Sequence, residues 1–180
     1  MTVEEYIDAT ADVPEPTELI DGVMVVDHRR RRFRHQSALG EIVCALAAWE
    51  RAAPDRGHVS LPLDVILDQC NVYAPDVLWY SDEERMEWDG YQRAMPDLVV
   101  EVRSPDTWHY DVGYKREMYE HYGLPELWLV DTEAPEVGVL RRSRANGPRF
   151  DFDAKVALDE VLTSPQLPGF ELPLREVFRL

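Results

Sequence analysis

Positive charge and sulfur are both scarce in this chain. Nineteen lysines and arginines stand against 35 aspartates and glutamates in 180 residues, a net charge of −16, which is an awkward balance for a protein that must meet phosphates. Only two cysteines are present, Cys44 and Cys70, without C-x-x-C spacing; this argues against a zinc site or a disulfide framework and for reduced thiols. No apolar run reaches membrane-spanning length and no basic-then-apolar leader is present, so no membrane partner is expected and the cytoplasm is the expected location. His28, His35, His58, His109 and His121 show no H-x-x-x-H or related pairing, which excludes a zinc hydrolase of that kind. Ser104 has no G-x-S-x-G around it and reads as a turn or cap residue. Repeats, low-complexity segments and linkers are also missing, so residues 1–180 read as one domain.

What positive charge there is comes in clumps. Arg29, Arg30, Arg31, Arg32 and Arg34 form one, and Arg141, Arg142, Arg144 and Arg149 another. Solvated loops and phosphate contacts are both open to them.

The pattern of elements is α/β. Thr2-Val3-Glu4-Glu5 has the form of a capping box and starts a short helix toward Ala9. Glu18-Leu19-Ile20, Asp21-Gly22 and Val23 to Val26 read as an N-terminal hairpin. Leu39, Ile42, Val43, Leu46 and Trp49 recur at helical spacing between Arg34 and Ala53. Short strands are expected at 58–60, 63–67, 76–80 and 98–102, a helix from Tyr110 to Tyr122 stopped by Gly123, and strands at 125–131 and 137–140. An Asn146-Gly147 turn then returns the chain to Phe150, and a proline-rich tail wraps the surface before a last helical turn near Glu176.

Within this pattern the stretch Pro96 to Pro105 carries the chemistry. Asp97, Val99 and Glu101 share one face of a strand and Leu98, Val100 and Val102 the other, so both faces are largely apolar. An ionised Glu101 there is costly without a cation or metal. Asp97 lies roughly 13 Å along the strand, too far to share one ion with Glu101; it reads as a solvated acid at the strand start. The second ligand of a magnesium site must therefore come from Asp76, in the earlier Pro75-Asp76. Lys115 shares a helix stripe with Asp111, Met118, Tyr119 and Tyr122. It either snorkels along that stripe or reaches the carboxylates to act on a phosphate. Asp111 can pair with Lys115 or cap the helix. His35 lies on the inward face of the long helix, as a satisfied core histidine or a phosphate contact. Trp79, Tyr80, Trp88 and Tyr91 cluster near a loop that a partner could use. Two-carboxylate hydrolysis of a glycoside is disfavoured, since it gives the inward lysine no role.

Glu18-Leu19-Ile20-Asp21-Gly22, His35, Pro75-Asp76-Val77, the run Pro96 to Pro105, Asp111, Lys115, Tyr119 and Gly123 to Asp131 stand in the order seen in a large bacterial family. The chain resembles the Uma-two family of restriction endonuclease-like proteins, within the PD-(D/E)xK nuclease superfamily, from about Glu18 to Val139. The resemblance implies a restriction endonuclease-like core, a central mixed β-sheet flanked by helices, and a Mg2+- or Mn2+-dependent endonuclease acting on DNA rather than RNA, as a homodimer. It gives Asp76 and Glu101 the two acidic motif positions, as catalytic residues and metal ligands, with Glu18 completing the metal site. The superfamily lysine falls at Arg103, which stays protonated and cannot act as a base; Lys115 takes its place as the catalytic lysine. His35 and Arg103 are the expected substrate contacts. The departure at Arg103 keeps a second reading open, a catalytically inactive nuclease fold that binds nucleic acid or protein.

Overall fold

Local signals at the start of the chain act as their chemistry dictates. In a computed structural model that describes residues 1–11, 13, 16–26, 33–144 and 147–178, Thr2 and Glu5 cap each other reciprocally at the head of α1 (Val3–Thr10). Strands β1 (Thr17–Ile20) and β2 (Val23–Val26) form the antiparallel hairpin. Asp21 and Gly22 turn it at φ 50° and 72°, the positive values that an Asp-Gly turn supplies at low steric cost. The long helix α2 (Phe33–Arg51) buries Ala38, Leu39, Ile42, Leu46 and Trp49. Arg29 to Arg32, His28 and Asn146, singled out in the sequence, lie outside the described residues.

Two sheets follow. The smaller combines the hairpin with β4 (Val65–Asp68) and β5 (Asn71–Tyr73) in the order β2-β1-β5-β4. The larger is built from β3 (His58–Ser60), β6 (Val77–Tyr80), β7 (Leu98–Val102), β8 (Glu126–Asp131), β9 (Glu136–Arg141) and β10 (Phe152–Ala157). Its order is β10-β9-β8-β7-β6-β3. It is mixed, because β7 and β8 run parallel while the other neighbours are antiparallel. The parallel pair needs a crossover, supplied by α3 (Trp108–Tyr110), a π-helical turn (Asp111–Lys115) and α4 (Arg116–His121).

Three expectations are corrected. The crossover helix begins at Trp108 rather than Tyr110 and is interrupted, because Gly113 leaves helical geometry at φ −110°, ψ −107°; Gly123, at φ 85°, does end it. Phe150 is buried against the α4 side of the sheet, and the returning strand starts only at Phe152. The tail does more than wrap the surface. Its elements β11 (Val161–Leu162), β12 (Leu172–Pro173) and α5 (Leu174–Val177) place Leu162, Leu167, Phe170, Leu172 and Val177 in the core with Trp128 and α2.

Alternation on the central strands separates two apolar layers. Leu98, Val100, Val102, Trp128 and Val130 face α2 and the tail, while Val99, Leu127 and Leu129 face Tyr119 and the smaller sheet. Two buried polar groups beside these layers are well paired. Glu126, fully buried, accepts from Trp128 Nε1 (2.7 Å), Ser164 Oγ (2.7 Å) and Gln166 Nε2 (3.2 Å), so one carboxylate fastens the tail to β8. Arg142, also buried, donates to the carbonyls of Leu124, Glu120 and Gly147. It thereby satisfies the end of α4 and is not a solvated or phosphate-facing arginine. Cys44 and Cys70 are free thiols, both exposed. Among the described residues no helix is long and apolar enough to cross a membrane.

Replacement of the buried acceptor should loosen the tail. Glu126→Ala leaves the Trp128 and Ser164 donors unpaired and is expected to cost about 2–4 kcal/mol in urea unfolding; Glu126→Gln, which keeps one acceptor, should cost less. Equal stability of Glu126→Ala and wild type would contradict the fastening role.

Candidate active site

The two sheets meet where the chain passes from β5 to β6 in three residues, Ala74, Pro75 and Asp76. The antiparallel register pairs Val77 with Val100. Continued by one residue, it sets Asp76 opposite Glu101, where directly opposed side chains share a face. Asp76, Glu101, Glu18, Asp111 and Lys115 all line one cleft of about 420 Å3. Four of these groups are deeply buried, with exposures of 7% for Asp76, 4% for Glu101 and Asp111, and 2% for Lys115.

Lys115 is the hub. Its Nζ lies 2.7 Å from Glu101 Oε1, 2.8 Å from Glu18 Oε1 and 3.0 Å from Asp111 Oδ1. Three separate segments supply those acids: β1, β7 and the π turn that also carries the lysine. Snorkelling is thereby excluded, because a snorkelling head group stays in water. The carboxylates are held in turn. Glu18 Oε1 also accepts from Ala74 N–H at 2.8 Å, Glu101 Oε1 from Tyr119 Oη at 2.9 Å, and Asp76 Oδ2 from Val102 N–H at 2.8 Å. The Tyr119 ring is fixed edge-on to Tyr73, whose hydroxyl donates to Asn71 Oδ1 at 2.9 Å.

The electrostatics follow from this crowding. Burial raises the Glu101 pKa well above the usual carboxylate range, with Lys115 pulling the other way. Burial likewise pushes Asp111 up to about 6, against the pull of Lys115. Burial pulls the Lys115 pKa down, yet Asp111, Glu101 and Glu18 together hold it well above normal. It stays a cation at neutral pH and serves as a charge and donor rather than a base. Tyr119, raised by burial and by Glu101, keeps its proton and donates.

The other sequence candidates sit elsewhere. His35 is 3% exposed, with Nε2 3.3 Å from Asp76 Oδ1. Neither ring nitrogen makes a hydrogen bond; the satisfied-core reading fails, and the ring does not line the cleft. Arg103 is also absent from the cleft lining. Its guanidinium grips Asp131 and Glu133 at 2.8 Å each, above the Trp108 ring. Asp97 is not a solvated acid, since it accepts from Ser81 N–H and Oγ and from Arg85. Trp79 and Tyr80 are buried, whereas Trp88 is 71% exposed and Tyr91 lines the cleft. Asp64 also lines it and was not picked out in the sequence; its pKa is raised by burial and then by Glu18. An isolated acid before a short strand gives no sequence signal for such a place.

The donor set suits a hard divalent cation. Among the described residues no three His, Cys, Asp or Glu side chains converge as a ready-made metal cluster. Mg2+, however, needs only one or two protein carboxylates, completing its octahedron with waters and substrate oxygens. Lys115 and Tyr119 both engage Oε1 of Glu101, and Lys115 and Ala74 both engage Oε1 of Glu18. The second oxygen of each takes none of these contacts. Among the described residues lining the cleft, Glu18, Asp76, Glu101 and Asp111 also outnumber the single cation, and burial raises the pKa values of Glu101 and Asp111.

Removing the hub should expose that surplus as a pH-dependent loss of stability. Between the ordinary carboxylate value of 3.8 and about 6, folded Asp111 binds a proton that the unfolded chain does not, so its contribution to stability falls as pH rises through that window. Lys115→Met removes the charge that pulls against the raised pKa values of Glu101 and Asp111. It is expected to cost about 3–5 kcal/mol at pH 7 and distinctly less at pH 5. Denaturation midpoints that drop equally at both pH values would contradict this charge balance.

A family model described as "Uma2: Putative restriction endonuclease" matches residues 3–175. No curated protein matches the chain. Among solved structures, the crystal structure of a putative nuclease belonging to DUF820 from Anabaena variabilis superimposes with a TM-score of 0.79 over 99% of this chain and 98% of that one, at 18% identity. The chain is thus similar to it in fold, with the central mixed sheet and flanking helices that the resemblance implied.

Proposed function

We propose that this chain, which belongs to the Uma2 putative restriction endonuclease family, is a metal-dependent endonuclease that hydrolyses DNA phosphodiester bonds at the cleft around Lys115. The observation that carries the reading is a buried lysine within 3.0 Å of three carboxylates, in the cleft that also holds Asp76. Such a group is costly to bury for structure alone. Asp76 and Glu101 are the residues that would hold Mg2+ or Mn2+, with Glu18 beside them. The ion supplies positive charge against a phosphate and lowers the pKa of water.

The chain's own groups do the rest. The Val102 N–H fixes Asp76, and Tyr119 fixes Glu101, so each carboxylate is oriented before substrate arrives. The Ala74 N–H does the same for Glu18. Lys115, held cationic, offsets the charge that builds on the phosphate oxygens and orients an attacking water by donating to it. Arg103, tied to Asp131 and Glu133, serves the scaffold instead, which explains how an arginine stands at the motif lysine without blocking the chemistry.

The test is plasmid nicking and oligonucleotide cleavage in Mg2+ or Mn2+. Wild type is expected to cut, and Asp76→Ala, Glu101→Ala and Lys115→Ala each to lose at least about 100-fold. Mg2+ should also raise the melting temperature of wild type and not that of Asp76→Ala. Wild-type cleavage in all three variants would overturn the site. Nucleic-acid binding with no turnover in any metal would replace the reading with an inactive binding module.

A further inference from the structure

The larger sheet ends on one side at β10, which pairs with β9 alone among the described strands. The direction of its main-chain groups follows from the ladder. Arg142 N–H donates to Pro125 O, toward β8, so the alternate residues Arg141, Val139 and Val137 turn theirs toward β10, where Phe152, Ala154 and Val156 stand opposite them. Asp153 and Lys155 must then present N–H and C=O outward. Ala157 has the same direction, since its N–H donates to Glu160 Oε2 at 2.6 Å and its carbonyl accepts from Glu160 N–H at 2.9 Å. That contact closes the edge beyond Val156. Before it the edge is open, with the side chains of Asp153 and Lys155 64% and 71% exposed.

Side chains alternate along the same strand. Asp153 meets Arg116 of α4 and Lys155 meets Glu136, both on the α4 face of the sheet. Phe152, Ala154 and Val156 lie on the opposite face and line a groove there with Val139, Leu167 and Phe170 of the core.

An acid and a base two positions apart on such an edge are complementary to a second copy of themselves. Antiparallel pairing sets outward residues opposite outward residues, which leaves three central registers about a two-fold axis. One opposes Asp153 to Asp153 and another Lys155 to Lys155, and both are repulsive. The third puts the axis at Ala154 and sets each Asp153 opposite the partner's Lys155. Charges then alternate in a row through Arg116, Asp153, the partner's Lys155 and the partner's Glu136, while Phe152 meets the partner's Val156 on the groove face. A lone edge lysine keeps strands apart, whereas this pair of charges favours one register.

We infer that β10 is a homodimer interface, in which two copies join their large sheets by antiparallel pairing of Phe152 to Val156 about an axis at Ala154. Asp153 and Lys155 of each copy exchange main-chain hydrogen bonds with those of the other. No β10 residue lines the cleft, so the interface does not depend on the nuclease reading.

Sedimentation velocity over about 1–200 μM tests this, a range suited to a strand contact well below the roughly 20–30 residues a side of a standard interface. Wild type is expected to pass from monomer to dimer. Asp153→Lys and Lys155→Asp each oppose like charges and should weaken association about tenfold or more. An equimolar mixture of the two should recover it, because each variant supplies the charges the other lacks. Cross-linking checks the register without any change of charge. In a Cys44→Ser/Cys70→Ser background, Ala154→Cys should oxidise to a disulfide-linked dimer, since Cα atoms opposed in a non-hydrogen-bonded pair lie about 4.5 Å apart. A monomer throughout the range, a dimer indifferent to both reversals, variants that stay monomeric when mixed, or an Ala154→Cys chain that does not cross-link would each overturn the inference.

Discussion

Everything near the cleft depends on one buried ammonium group. Lys115 meets Glu18 across 97 positions of chain, and Glu101 and Asp111 close the same contact. A buried ion group of this kind adds little net stability compared with apolar packing, because each charge must leave water. What it supplies is position. The hairpin sheet, the central strand and the crossover helix each place an acid on the same nitrogen, so none of them can shift without leaving a charge unpaired in the interior.

The surrounding elements explain how that arrangement is reached. The short passage from β5 to β6 delivers Asp76 next to Glu101, and the parallel step from β7 to β8 forces a helical crossover over the same face. The π turn in that crossover carries both Asp111 and Lys115; such turns are rare within helices and frequently mark functional sites. On the opposite face α2 and the tail keep the sheet dry. The family match, residues 3–175, spans the strands and the crossover that meet at this junction.

Much of this was legible in the sequence wherever a local rule determines the outcome. The Thr2–Glu5 box, the Asp21-Gly22 turn, the apolar period of α2 and the alternation of β7 each acted as read. The inward stripe gave Lys115 correctly, and the cost of burying Glu101 pointed to a partner. Features set by tertiary context were not legible. Asn71–Tyr73 is too short to show alternation, and its pairing with β1 and β4 decides it. Glu126 fell within the expected strand at 125–131, but its fastening role gave no signal, because its partners Ser164 and Gln166 are some 40 residues away. Arg103 was placed at the motif position, but Asp131 and Glu133 at the end of β8 determine where its charge goes. His35 was placed on the inward face, yet neither of its ring nitrogens finds a hydrogen-bond partner there, although Asp76 lies 3.3 Å away.

The tail has a mechanical consequence. Leu172, Leu174, Val177 and Phe178 are part of the layer behind the central strands, so the face of the sheet turned away from Glu101 is covered by a segment far from that residue in the chain. Changes that loosen this cover act on the strand holding Glu101 from behind, without touching any group that lines the cleft.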